Sequence, residues 1–249
     1  MLKISLITAV YNNASGLRSS LTSSFQQSYP QVERIVIDGG STDGTHKVLA
    51  EYAYKLDHIV SEPDSGIYDA LNKGVQLATG DIVGILHSDD LFAECHILAK
   101  IASSMEKRGV QFLYGDLYYV NAENPDEVVR YWKAGEFHPE QLRKGWMPPH
   151  PTVYVRRALY GQYGSYNTQY KIAADYDWML RLLKKNALNI AYLPEVLVHM
   201  RIGGASNRSL KNIWQKTGED YAILKNHQIG GIPALLHKNF RKLNQFWKR

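Results

Sequence analysis

With a single cysteine among its 249 residues, the chain can form no internal disulfide and no cysteine-cluster metal site. Such usage fits a reducing compartment, and cytoplasm is the expected location. Long apolar runs are also missing, because Pro, Asn, Asp or Lys interrupts each one before the roughly 18 residues that span a bilayer. The run at 2–10 carries only Lys3 as a basic residue and leads into Tyr11-Asn12-Asn13 without a small-residue cleavage pattern. It reads as a buried strand, not a secretory signal. No G-x-x-x-x-G-K-[ST] phosphate loop, repeat or low-complexity tract occurs. Acidic residues stop at Asp220, whereas Lys225, Lys238, Arg241, Lys242, Lys248 and Arg249 follow. The formal charge of +5 is therefore concentrated in the tail, and its size alone implies only weak attraction to polyanions.

What remains is a chain with 45% hydrophobic residues, long enough to bury a substantial core as one large domain or one domain with an appendage. Short β-branched runs at 2–10, 34–38, 58–61 and 82–87 alternate with helical patterns at 16–27, 42–54 and 67–78. This alternation predicts an α/β fold with a mostly parallel sheet covered by helices on both faces. Ligands bind such sheets beyond the carboxyl ends of the strands. The segments there are polar: Tyr11-Asn12-Asn13, Asp38-Gly39-Gly40-Ser41, Glu62-Pro63-Asp64-Ser65-Gly66 and His87-Ser88-Asp89-Asp90. In the second half, 110–120 and 128–132 suggest a hairpin, 152–155 and 187–198 suggest strands, and 175–185 and 208–225 suggest helices.

Three clusters can carry chemistry. Asp89-Asp90 follows an apolar strand, and adjacent carboxylates there are costly unless a cation or donors compensate them. Mg²⁺ or Mn²⁺ bound to a diphosphate would do so, since these ions take one or two carboxylates plus phosphate oxygens. The competing reading is an N-cap pair for a helix beginning near Leu91. Asp38 precedes a glycine pair that admits close backbone approach, and its carboxylate can accept from a base or ribose; a plain capped turn is equally compatible. Asp175 begins a helix and is either its N-cap or a general base, while Asp177 and Arg181 form an i,i+4 pair.

In order and approximate spacing, Ile7-Thr8-Ala9-Val10-Tyr11-Asn12, the run from Val36 to Thr45, Ala78-Thr79-Gly80-Asp81 leading to His87-Ser88-Asp89-Asp90, and Ala174-Asp175-Tyr176-Asp177 resemble glycosyltransferase family 2. The segment from Glu62 to Gly74 resembles the bacterial branch that builds surface polysaccharides, including colanic-acid and O-antigen transferases. The resemblance implies a GT-A fold, a Rossmann-like sheet with residues 1–90 as the nucleotide-binding half and 91–228 as the acceptor-side half. It further implies an inverting, metal-dependent transfer of a hexose from UDP-glucose or UDP-galactose to a hydroxyl of a lipid-linked oligosaccharide. Asp175 is the implied base. Thr8, Tyr11, Asp38, Glu62, Asp64, His87, Ser88, Asp89, His150 and Arg201 are the implied donor contacts, and Asp89 with His199 is the implied metal set. The chain departs from the family pattern at His87, where the first Asp of D-x-D is usual, at Gly39 and at Ala174.

A degenerate nucleotide-sugar-binding protein and a sugar nucleotidylyltransferase are the alternatives; residues 9–16 lack the Gly-rich basic loop that the latter needs. Nucleic acid is not an expected partner, because no recognised motif accompanies the basic tail. Within residues 229–249, Leu235, Leu236, Phe240, Leu243 and Trp247 recur at helical spacing, with Lys238, Arg241, Lys242 and Lys248 on other faces. They predict a basic amphipathic helix, hinged at Gly230-Gly231, that holds the enzyme peripherally on the anionic cytoplasmic face of the inner membrane. Packing of that helix on the catalytic domain is the alternative.

Overall fold

In a computed structural model, strands β1 (Ile4–Val10), β2 (Val32–Asp38), β3 (His58–Ser61) and β4 (Ile82–Ile85) run parallel. They are joined by helices α1 (Ala14–Phe25), α2 (Thr45–Tyr52) and α3 (Ile67–Leu77). The residues described are 1–107, 109–185, 188–202, 210–231, 233–235 and 237–238. All of β1 is buried, as a parallel strand covered on both faces must be. Tyr68, Leu71 and Val75 of α3 recur at helical spacing and pack with Ile7, Ile35 and Ile37 of the sheet.

The second half departs further from sequence expectation. The helix weighed near Leu91 begins six residues later: Leu91–Phe92 is a short strand, β5, and helix α4 (Ile97–Lys107) follows it. Next come β6 (Phe112–Val120), β7 (Val128–Trp132), β8 (Tyr154–Arg156), α5 (Ala158–Tyr163), α6 (Ala174–Leu183), β9 (Ile190–Arg201) and α7 (Leu210–Asn226). The sheet order is β3-β2-β1-β4-β8-β6-β9-β5, with β7 paired to β6. Thr152, the expected first residue of the 152–155 strand, ends a 3-10 turn over 150–152, so β8 starts at Tyr154. In β9, Gly115 pairs with Leu193 but Asp116 pairs with Val196, which leaves Pro194 and Glu195 out of the ladder. Proline has no N–H for a ladder bond, so the break falls there.

The segment after α7 does not stand apart. Gly231, Pro233–Leu235, His237 and Lys238 are helical, Ala234 is buried, and Leu235 packs on the main core. Gly145 has φ +67°, and a Cβ there would lie 2.8 Å from both the Ala234 carbonyl and Lys238 Cβ. A boundary at 228/229 therefore cuts through packed structure. Lys238, expected on a solvated face, is buried against Asp220. The other tail residues invoked, Leu236, Phe240, Arg241, Lys242, Leu243, Trp247 and Lys248, lie outside the described residues. No helix among the described residues is long and apolar enough to cross a membrane.

Candidate active site

At the carboxyl ends of the parallel strands, three turns converge. Asn12, at φ +48°, donates its backbone N–H to Ser41 Oγ at 2.8 Å. Its side-chain oxygen accepts from the Thr42 N–H at 2.7 Å. The loop after β3 joins through the Glu62 N–H, 3.0 Å from the Asp38 carbonyl. A Cβ at Gly39 would lie 2.4 Å from Asp64 Oδ2, so a larger residue there would displace the Asp64 carboxylate from this junction. Tyr11 stands over this junction 64% exposed, free to stack on a planar ligand.

Asp38 itself does not face the cleft. It is 0% exposed and accepts from Ser41 Oγ at 2.5 Å and Ser61 Oγ at 2.6 Å. With its oxygens occupied inside the protein, it braces the loop instead of reading a base. Thr8 is likewise buried within β1, and Glu62 points outward to pair with Lys73 at 2.8 Å. Asp64 lies at the junction and accepts from the Gly66 N–H at 2.8 Å.

A second cluster follows β4. The His87 carbonyl accepts from Ser20 Oγ at 3.0 Å, and Ser88 Oγ lies 3.3 Å from Asn13 Nδ2, so α1 anchors this turn. Asp90 is 1% exposed and neither of its oxygens has a hydrogen-bond partner. That geometry rejects the helix-cap reading. Burial, and then the Asp89 charge, push the Asp90 carboxyl well above the usual range, while Arg201 opposes them. His87 Nδ1 and Arg201 Nε are also buried without a partner. Two adjacent carboxylates with unused oxygens fit a divalent cation that completes its shell from a ligand's phosphates and needs no protein cage. Among the described residues no group of three or more His, Cys, Asp or Glu is assembled that could hold a metal ion.

His199 is not part of this cluster. It pairs with Leu91 across β5–β9, stacks on Tyr118 with ring centroids 5.7 Å apart, and has Asp126 as its charged neighbour. Strand alternation turns it to that side, so the expected pairing of His199 with Asp89 as metal ligands is not supported.

Asp175 lies in the first turn of α6 but does not cap it; the N-cap is Ala173, which has no side-chain bond to offer. The carboxylate is half-buried and accepts from the Tyr68 hydroxyl at 2.9 Å. Burial, then the charge of Asp175, raise the Tyr68 phenol well above its usual value, so it stays a donor. His150 lies close by, its ring 5.9 Å from that of His87 and its Nε2 3.0 Å from Tyr166 Oη. Burial lowers His150 to about 4, against the opposing pull of Asp175, so the imidazole is neutral near pH 7. The charge of Asp175 acts on both histidines, whose rings are 5.9 Å apart, and that of Asp89 acts on His87, so the two carboxylates lie within electrostatic reach of the same imidazole. Tyr68 and Tyr166 went unmarked in the sequence; the only available signal for Tyr68 was its place just after the Asp64-Ser65-Gly66 turn.

Residues 5–187 match the family model for glycosyl transferase family 2. A PGL/p-HBAD biosynthesis glycosyltransferase of Mycobacterium bovis is 32% identical over 208 residues, covering 82% of this chain and 78% of the relative. An uncharacterized glycosyltransferase of Rickettsia typhi is 27% identical over 240 residues, covering 89% and 70%. Among solved structures, S. aureus TarS 1–349 in complex with UDP-GlcNAc superposes with a TM-score of 0.70 at 18% identity, covering 99% of this chain and 72% of that one. A mannosyltransferase from Pyrobaculum calidifontis in complex with GDP-Man and Mn²⁺ gives 0.68 at 20% identity, covering 99% and 71%. The architecture is thus the GT-A fold, and with the family model spanning most of the sequence, the chain belongs to glycosyl transferase family 2.

Proposed function

We propose that the protein is an inverting glycosyltransferase that moves a hexose from a UDP-sugar, UDP-glucose or UDP-galactose, to a hydroxyl of a lipid-linked oligosaccharide in bacterial surface-polysaccharide assembly. The observation that carries the reading is Asp175: a carboxylate free of any capping duty, held by Tyr68, within electrostatic reach of the same imidazole as Asp89. Nucleotide sugars in the TarS and mannosyltransferase structures support the donor class.

In this reading Tyr11 stacks on the base, and the Gly39-Gly40 backbone and Asp64 receive the nucleoside. Asp89 and Asp90 would hold Mn²⁺ or Mg²⁺, which when bound supplies compensation for charge on the departing diphosphate. Arg201, whose Nε lacks a partner, adds positive charge on the same side. Asp175 removes the proton from the acceptor hydroxyl as its oxygen attacks the anomeric carbon. The bond to the diphosphate breaks on the opposite face, and the configuration inverts. General base catalysis of this kind contributes about 10²–10⁴ in rate. Neutral His150 and His87 line the pocket and orient hydroxyls without adding charge. Attachment to the membrane is peripheral, through the basic residues that follow α7.

The test is release of nucleoside diphosphate from a panel of UDP- and GDP-sugars, with and without Mn²⁺, in the presence of a saccharide acceptor. Acceptor-dependent release of UDP supports the reading; release of pyrophosphate from a nucleoside triphosphate and a sugar phosphate, or no turnover at all, overturns it.

A further inference from the structure

Side chains from far along the chain hold the turn that presents Asp175. Glu219 of α7 accepts from the N–H groups of Lys171 at 3.0 Å, Ile172 at 2.9 Å and Ala173 at 2.9 Å. These are the N–H groups of the two residues before α6 and of its N-cap, Ala173, so Glu219 fixes the path by which the chain enters the helix. The next residue, Asp220, is 2% exposed and pairs with Lys238 Nζ at 2.7 Å. The same ammonium lies 3.3 Å from the centroid of the Tyr176 ring, the residue after Asp175. Lys238 thus touches both helices that meet at the base: α6 through Tyr176 and α7 through Asp220.

We propose that Lys238 is a positioning residue for Asp175, anchoring the helical residues Pro233–Leu235, His237 and Lys238 across α6 and α7 so that Glu219 keeps the 171–175 turn in its working geometry. The proposal rests on Asp175 being the base. A buried ion pair adds little net stability compared with an apolar pair of similar volume, but it fixes where its two partners sit. Here the partners sit on the two elements whose relative placement sets the carboxylate. The charged groups around the ammonium are Asp220, Lys216 and Asp175; burial lowers the Lys238 pKa and Asp220 opposes that. The segment is therefore part of the catalytic unit.

The experiment compares full-length wild type, Lys238→Arg, Lys238→Ala, the charge-free double variant Asp220→Asn/Lys238→Met, and Asp175→Asn as a control. UDP binding is measured by calorimetry and transfer by UDP release with a water-soluble acceptor. The expected result is UDP affinity within about twofold of wild type in every Lys238 variant, with an unchanged donor KM. Turnover should fall at least about tenfold in Lys238→Ala and in the double variant, the scale on which small misplacements of a reacting group act. Lys238→Arg, which keeps the ion pair, should recover most of the turnover. If Lys238→Ala does not fold, the double variant, which leaves no buried charge unpaired, gives the answer. Wild-type turnover in the double variant overturns the proposal, as does a parallel loss of turnover and UDP affinity, which marks general loosening. Near-normal turnover in Asp175→Asn overturns the base reading itself; a dead Asp175→Asn beside a fully active double variant overturns only the role of Lys238.

Discussion

Glu33, at the start of β2, lies at the end of the sheet remote from the site and offers a test of the fold that leaves the chemistry alone. It is 2% exposed, yet it receives Lys3 Nζ at 2.9 Å, Ser5 Oγ at 2.5 Å, and Thr79 through its N–H at 2.8 Å and its hydroxyl at 2.5 Å. Burial pushes this carboxyl up, but the donors from Lys3, Ser5 and Thr79 together outweigh it and bring it down from 4.5 to about 2. At about 1.4 kcal/mol per pH unit, that gap corresponds to an upper figure of about 3 kcal/mol. Because the folded-state value is depressed, the stabilisation is fully present above the unfolded value near 4.5 and is lost as pH falls toward 2. Glu33→Gln should therefore lower the unfolding free energy by about 2–3 kcal/mol at pH 7, by about half as much at pH 3 and by only a few tenths at pH 2. Urea unfolding at the three pH values measures the gap, and turnover at pH 7 should be unchanged. A pH-independent gap, or none, would refute the assignment of this network as a charged one.

Asp90→Asn should weaken Mn²⁺-dependent UDP binding by at least about tenfold while leaving metal-free thermal stability equal or higher, because an unpartnered buried carboxylate is costly. Calorimetry and a melting curve check the two halves; a stability loss without a binding change would show Asp90 to be structural. Full-length protein should co-sediment with anionic vesicles at low salt, since each basic residue near such a surface contributes about 1 kcal/mol or less. Arg241→Ala/Lys242→Ala/Lys248→Ala/Arg249→Ala should lose that binding, with Lys238 left in place. Equal binding by both proteins, or none by either, contradicts a membrane role for the tail.

The parallel half of the fold was readable because its signals are local: buried β-branched runs, helical periodicity, and Gly or Asp at each turn. The strand-end rule also points to Tyr11, Asp64 and the Asp89-Asp90 pair, which the proposed mechanism uses together with Asp175. Misreadings arose where partners are distant or where one strand face had to be chosen. Asp175 reads as a possible cap in sequence because Glu219, which holds the turn leading into α6, lies 46 residues beyond Ala173. Lys238 counted as a surface charge because a sequence does not show Asp220 folded beneath it. Sequence puts His199 near the end of a strand, where a metal ligand is expected, but β9 turns it toward Tyr118. Asp38 is different, since Ser41, three residues on, was already visible as a local donor. β5 is two residues long and leaves no periodicity to read.

Whether Asp175 is the base of a nucleotide-sugar transferase is decided by transfer and donor binding in Asp175→Asn. Tyr68 keeps its bond to the Ile172 carbonyl at 2.8 Å, and Glu219 keeps the turn, so the variant should fold and bind UDP within about twofold of wild type. Its turnover should fall by about 10²–10⁴ at saturating donor, the contribution of a general base. Transfer by Asp175→Asn within about threefold of wild type would contradict the account, since no change that small accompanies loss of the base.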